Sequence, residues 1–180
     1  YKRQYFNKAQ IVDKEGQTRP LVAKEEKIVI TGKTPADFVS RGITPMQSAS
    51  LLLILVAGIS IYGIRRGKTL WGIDLILFLV AGMAGCILAF LALFSQHPAV
   101  SPNYILFVFH PFHLFCLPFM LSRVRKREIS RYMLVNFAVL TLFIGLWTII
   151  PQRIPPAVLP LALCLLIRSA SNLILTYKRR

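Results

Sequence analysis

The chain has 180 residues, of which 55% are hydrophobic, and its 22 Lys and Arg against 7 Asp and Glu give a formal net charge of +15. So large an apolar fraction excludes an intrinsically disordered chain, and three cysteines that all lie inside apolar runs argue against a disulfide-stapled secreted fold. Charge and hydrophobicity occupy different segments, which indicates an integral membrane protein and not a basic nucleic-acid-binding domain.

Residues 1–43 form a polar segment of mixed charge. Apolar pairs at residues 11–12 and 21–22 flank a turn-forming stretch at residues 14–17, which predicts a small β-hairpin with residues 27–30 as a candidate third strand. Glycines and prolines over residues 31–45 predict a linker. Because the chain opens on Tyr1 and has no signal-peptide pattern, we expect it to be a piece of a longer polypeptide.

Five apolar runs follow, over about residues 46–64, 71–94, 104–121, 132–150 and 157–177. Each run is 18 to 24 residues long, and a helix needs about 20 residues to cross about 30 Å of hydrocarbon. Solid apolar runs do not suit a transmembrane β-barrel, whose strands alternate. The sequence therefore predicts an all-α integral membrane fold, in which residues 44–180 form a five-helix transmembrane bundle and residues 1–43 a periplasmic juxtamembrane segment with a β-hairpin and a linker.

The connections between the runs predict the orientation. The first connection carries three basic residues and the third carries five, whereas the second carries none and the fourth carries one; the chain also ends on three basic residues. Basic connections remain in the cytoplasm. We therefore expect a periplasmic amino terminus and a cytoplasmic carboxyl terminus.

Two charged residues interrupt the second and fifth runs. We interpret Asp74, close to the start of its run, as a structural charge held by the helix N-terminus and by the basic residues at 65–68, although an intramembrane carboxylate is also a functional candidate. Arg168 lies eleven residues into the last run. It could bind an anionic head group or a substrate carboxylate, but we favour a side chain that snorkels towards the interface.

The third run contains His110 and His113, which share a face on a helix because they are three residues apart. Such a pair could begin a metal site, but no acidic or Cys ligand stands at a complementary spacing, so we expect no metal. Pro111 and Pro118 predict kinks, and the imidazoles could donate hydrogen bonds to the carbonyls that the prolines leave free.

The connection between the second and third runs holds Ser95, His97, Ser101 and Asn103. A Ser-x-His pair resembles a nucleophile and its base, but no third, orienting acid is present, so catalysis by this connection alone is disfavoured. The polar side chains could instead bind a lipid head group or a domain that lies above them.

Residues 72–114 resemble the membrane part of the bacterial Lnb family, the lipoprotein N-acyltransferases that join a periplasmic papain-like domain with a catalytic Cys to a carboxyl-terminal helical bundle. The features that match are Asp74, Gly82, Gly85, Ser95-x-His97-Pro98, Asn103 and Pro111. From the residues themselves, we take Asp74, the two glycines and Pro111 as structural. The substrate-facing or lipid-facing candidates are Ser95, His97, Asn103, His110, His113 and Arg168.

The resemblance implies a bacterial cytoplasmic membrane protein whose parent moves an acyl chain from a phospholipid to a lipoprotein. Phospholipid, lipoprotein and an upstream periplasmic domain are the partners it implies, without nucleic acid or a cofactor. This chain holds no Cys in a polar periplasmic setting, so no catalytic residue is assigned to it. The alternatives are a non-catalytic anchor, an accessory membrane subunit and, less favoured, a small-solute transporter.

Overall fold

A computed structural model of the chain describes residues 9–12, 16–20, 42–95 and 103–178. The chain divides into two compact units, residues 1–42 and residues 43–180. In the first unit, β1 (Gln10–Val12) pairs antiparallel with β2 (Thr18–Pro20). The pair at residues 21–22 and the candidate strand at 27–30 lie outside the described residues, as does most of the predicted linker.

Capping residues fix both ends of the first helix of the second unit, α1 (Pro45–Arg66). Thr44 forms a capping box, since its hydroxyl accepts from the N–H of Gln47 at 3.2 Å while its own N–H donates to Oε1 of Gln47 at 2.9 Å. The helix ends at Gly67, whose φ of 62° places it in the left-handed region that glycine tolerates. Helix α2 (Trp71–Phe94) follows after a short connection.

The third apolar run is broken instead of forming the one helix predicted over residues 104–121. It consists of a 3₁₀ helix (Tyr104–Phe107), α3 (Phe112–Phe115) and α4 (Leu117–Lys126), and it bends by 78° between residues 115 and 117. Pro111 has no N–H to donate to a carbonyl four residues earlier, so helical hydrogen bonding is interrupted between the 3₁₀ helix and α3. We call residues 104–126 the broken segment.

The last two helices differ in length. Helix α5 (Arg131–Gly145) is shorter than the predicted run at 132–150, and turns continue the chain as far as Ile150. Helix α6 (Val158–Tyr177) matches its run closely. Within the described residues, α1, α2 and α6 are long and apolar enough to cross a membrane, and the broken segment would be a fourth span if its parts are taken together.

Helix α6 lies at the centre of the second unit, where it packs against α1 on one side and α5 on the other, while α2 packs against α3 and α4. Contacts join the first connection to the third at one end of the helices, and the second connection to the fourth at the other end. At one end, the Arg127 guanidinium donates to the Gly67 carbonyl, and the Arg125 guanidinium lies 4.6 Å from the centre of the Trp71 ring. At the other, the Tyr104 N–H donates to Oε1 of Gln152 at 2.7 Å.

Two glycines of α2 allow the broken segment to approach its backbone. A Cβ on Gly85 would lie 2.5 Å from the carbonyl carbon of His110, and one on Gly82 would lie 2.7 Å from the backbone nitrogen of Leu114. Three residues apart, the two glycines share one face of the helix. Small residues at such a face permit close helix packing in lipid, and here they permit backbone contact.

We expect Gly85→Ala to lower the free energy of unfolding by about 1–3 kcal/mol, because its methyl group would overlap backbone atoms that have little freedom to move. The matched control is Gly58→Ala in α1, where an added Cβ meets nothing within 4 Å. Thermal or denaturant unfolding of the two purified variants in detergent measures the difference. Equal stability of both variants would contradict the close approach.

Candidate functional site

An ion pair buried in the bundle joins α2 to α6. Nε of Arg168 lies 2.7 Å from Oδ1 of Asp74, and Nη2 lies 3.0 Å from Oδ2. The two residues are 1% and 0% exposed, respectively. Such a two-point contact between guanidinium and carboxylate is the strongest common form of ion pair.

Two further side chains complete the hydrogen bonding of this pair. Nη1 of Arg168 donates to Oγ of Ser60 on α1 at 3.0 Å, and Nδ2 of Asn172 donates to Oδ2 of Asp74 at 3.0 Å. Arg168 and Asn172 are four residues apart, so they share a face of α6. These four residues, which we call the polar cluster, therefore link three helices.

The polar cluster corrects two sequence interpretations. Asp74 does lie in the first turn of α2, where a helix N-terminus favours negative charge, but its partner is Arg168 and not the basic residues at 65–68. The snorkelling interpretation of Arg168 is wrong, because its side chain is buried and paired. An unpaired charge inside hydrocarbon is so costly that two opposite charges in separate apolar runs are best read as partners. That signal was present in the sequence and was missed.

The two histidines lie together beside α5. Nε2 of His113 lies 2.9 Å from the Val108 carbonyl, and the Tyr132 hydroxyl lies 2.5 Å from Nδ1. A carbonyl only accepts, so Nε2 carries the proton and the Tyr132 hydroxyl donates to Nδ1. His110 stacks on His113 with 3.9 Å between ring centroids. His113 therefore supplies a donor to a carbonyl in the interrupted part of the third run, as its position beside Pro111 predicted; Tyr132 was not singled out.

A cavity of about 610 Å³ lies between the broken segment and α5. Its walls are mainly apolar and include Leu106, Phe107, Phe112, Val135 and Val139. His110 and Asn136 also line it, and each has one buried polar atom with no hydrogen-bond partner among the described residues, Nδ1 and Oδ1, respectively. We call this space the apolar cavity.

A second cavity of about 840 Å³ lies between the end of α4 and the start of α5. Three basic residues and one carboxylate line it, namely Arg123, Lys126, Arg131 and Glu128, so we call it the basic cavity. It shares Cys116, Arg131 and Tyr132 with the apolar cavity, so the two spaces adjoin.

Two of the four polar candidates in the connection between α2 and the broken segment, Asn103 and Ser95, lie among the described residues. Oδ1 of Asn103 accepts from the Ile105 N–H at 3.2 Å and lies 3.5 Å from Nε2 of Gln152, which brings the second and fourth connections together. The Ser95 N–H donates to the Leu91 carbonyl at 3.0 Å at the end of α2. His97 and Ser101 lie outside the described residues. Gln152 was not singled out from the sequence.

No group of three or more His, Cys, Asp or Glu side chains suited to a metal ion occurs within residues 9–12, 16–20, 42–95 and 103–178.

Long apolar helices, outward-facing aliphatic and aromatic side chains and an internally neutralised ion pair define a multi-pass membrane domain. The model of one protein family, described as the Lnb transmembrane domain, matches residues 37–180. The chain belongs to that family, which confirms the resemblance drawn from residues 72–114. No curated protein and no solved structure matches the chain.

Asp74→Leu should leave the Arg168 guanidinium buried without its counter-ion, so we expect the free energy of unfolding to fall by about 3–5 kcal/mol. The double variant Asp74→Leu with Arg168→Met removes both charges and should regain most of that loss. Ser60→Ala, which deletes one hydrogen bond, should cost about 1–3 kcal/mol. Denaturant unfolding in detergent compares the three; a double variant no more stable than Asp74→Leu would refute a paired role.

Proposed function

We propose that this chain is the membrane domain of a lipoprotein N-acyltransferase of the bacterial cytoplasmic membrane, and that it holds a phospholipid and a lipoprotein beneath a periplasmic catalytic domain. The observation that carries the proposal is the family match over residues 37–180. The nucleophile and its base belong to the upstream domain that the family resemblance implies. The part assigned to this chain is to bind and orient substrates.

The polar cluster supports orientation over simple anchoring. One apolar helix of about 20 residues is enough to tether a domain to a bilayer. This chain instead buries an ion pair whose four side chains fix α1, α2 and α6 relative to one another. A fixed frame matters when two substrates must meet one nucleophile, because holding reactants in place lowers the barrier through orientation alone.

The charge of the connections supports the direction in which the domain faces. The end with Arg125 and Arg127 carries the basic connections, and basic connections favour the cytoplasm. The opposite end, where Asn103 meets Gln152, would then face the periplasm. In this orientation Ser95 and Asn103 lie towards the outer leaflet, the surface at which a lipid head group and a lipoprotein would be presented to a periplasmic domain.

We expect His97→Ala and Asn103→Ala, made in the intact parent protein, to reduce lipoprotein N-acylation by about tenfold or more, because each removes a polar contact that helps to orient a substrate. The mass of the lipoprotein's amino-terminal peptide reports acylation, and the membrane fraction reports insertion. The matched control is Arg153→Ala, an exposed residue on the connection that also holds Gln152. Wild-type acylation in both variants would remove these residues from substrate positioning.

Replacement of residues 44–180 by one unrelated transmembrane helix separates orientation from anchoring. Under our proposal the parent stays in the membrane with a folded, protease-resistant periplasmic domain, yet acylation is lost, because the substrates are no longer held in place. If acylation were retained at the wild-type rate, the domain would be an anchor.

A further inference from the structure

The two cavities beside α5 adjoin each other. They share Cys116, Arg131 and Tyr132 along their common wall, so the space between the broken segment and α5 is apolar in one part and basic in the other. We call the two cavities together the α5 groove. The groove therefore has one apolar part and one charged part, which matches the two parts of an amphiphilic molecule such as a lipid.

The basic part of the groove attracts an anion. Arg131 is exposed and is the first residue of α5, whose N-terminus adds a partial positive charge. The nearby carboxylate, Glu128, is already bound to Arg123 at 2.6 Å. No side chain in the part of the chain that the structure describes forms an ion pair with Arg131, which lines the same wall. Positive charge therefore exceeds negative charge here.

The apolar part of the groove favours a hydrocarbon chain over a small polar ion. Its aliphatic and aromatic walls include Phe112, which is 66% exposed, and Val135, which is 59% exposed, so the groove is open at the protein surface. In a bilayer such an opening is filled by lipid tails. A free phosphate ion would use only the basic part.

We propose that the α5 groove binds one anionic glycerophospholipid, with the head-group phosphate at Arg131 and an acyl chain in the apolar cavity. Basic pockets between helices on the cytoplasmic side of membrane proteins bind head groups of this kind. The inference goes beyond the proposed function, because Arg131 and Gln152 flank opposite ends of α5. In the orientation proposed above, the groove opens to the inner leaflet, whereas the acylation substrates lie at the outer one.

Lipid binding by the full chain in mild detergent tests the head-group contact. The chain is titrated separately with dioleoylphosphatidylglycerol and dioleoylphosphatidylethanolamine, and the adducts are counted by native mass spectrometry. The wild-type chain should prefer the anionic lipid, and Arg131→Gln should weaken that binding by about fivefold, since one basic residue near a membrane surface contributes about that much. Binding of phosphatidylethanolamine, whose ammonium group offsets the charge of its phosphate, should weaken less.

The matched control is Arg66→Gln, which removes the same charge from an exposed residue at the end of α1 that lines neither cavity. It should keep wild-type affinity for phosphatidylglycerol. Equal affinity of the wild-type chain for both lipids, or an equal loss in Arg66→Gln and Arg131→Gln, would overturn the proposal.

Val135→Trp tests the acyl-chain contact by placing a larger side chain on the wall of the apolar cavity. We expect weaker binding of both lipids, with the preference between them retained, because the substitution leaves the basic part intact. A variant that binds phosphatidylglycerol as tightly as the wild type would show adsorption of the head group alone, and the groove would not be a lipid site. Because Val135 is 59% exposed, the fold should tolerate the change, and the Arg131→Gln arm stands independently of it.

Discussion

The structure depends on the cost of placing a charge in hydrocarbon. Neither Asp74 nor Arg168 is tolerable alone in an apolar interior, and each is accommodated because the other lies opposite it at hydrogen-bond distance. The geometry that neutralises both charges is narrow, so it sets how α2 and α6 lie along each other. Ser60 brings α1 to the same point. Side chains from α1, α2 and α6 therefore meet at this one point of the bundle.

The rest of the bundle builds outward from α2. With α2 fixed, its glycine face at Gly82 and Gly85 admits the backbone of the broken segment. The interruption around Pro111 leaves backbone groups without helical partners, and His113 donates to one of them while it accepts from Tyr132 on α5. The contact between His113 and Tyr132 thus joins the broken segment to α5. Tyr132 also lines the α5 groove, so the groove lies directly beside this contact.

The sequence predicts what depends on local pattern. The bounds of α1, α2 and α6, the family and the interruption beside Pro111 all follow from apolar runs, motif order and one missing N–H. The contact partners of the buried residues cannot be predicted in this way, because hydrophobic periodicity indicates that a residue is buried but not which residue it contacts. Asp74 and Arg168 are 94 residues apart in the chain. The shortened α5 and the cavities depend likewise on how whole helices pack.

The bend in the broken segment also affects the lipid. Its two legs differ in direction by 78°, so at most one of them can stand along the bilayer normal. The other leg adds little to the distance covered across a membrane, although both legs carry exposed apolar side chains; Phe112 and Phe115 before the bend and Phe119 after it are 66%, 66% and 77% exposed. The elbow therefore gives this segment a shorter reach than a straight helix with the same number of residues would have, so its chain length overstates the thickness that it can cover.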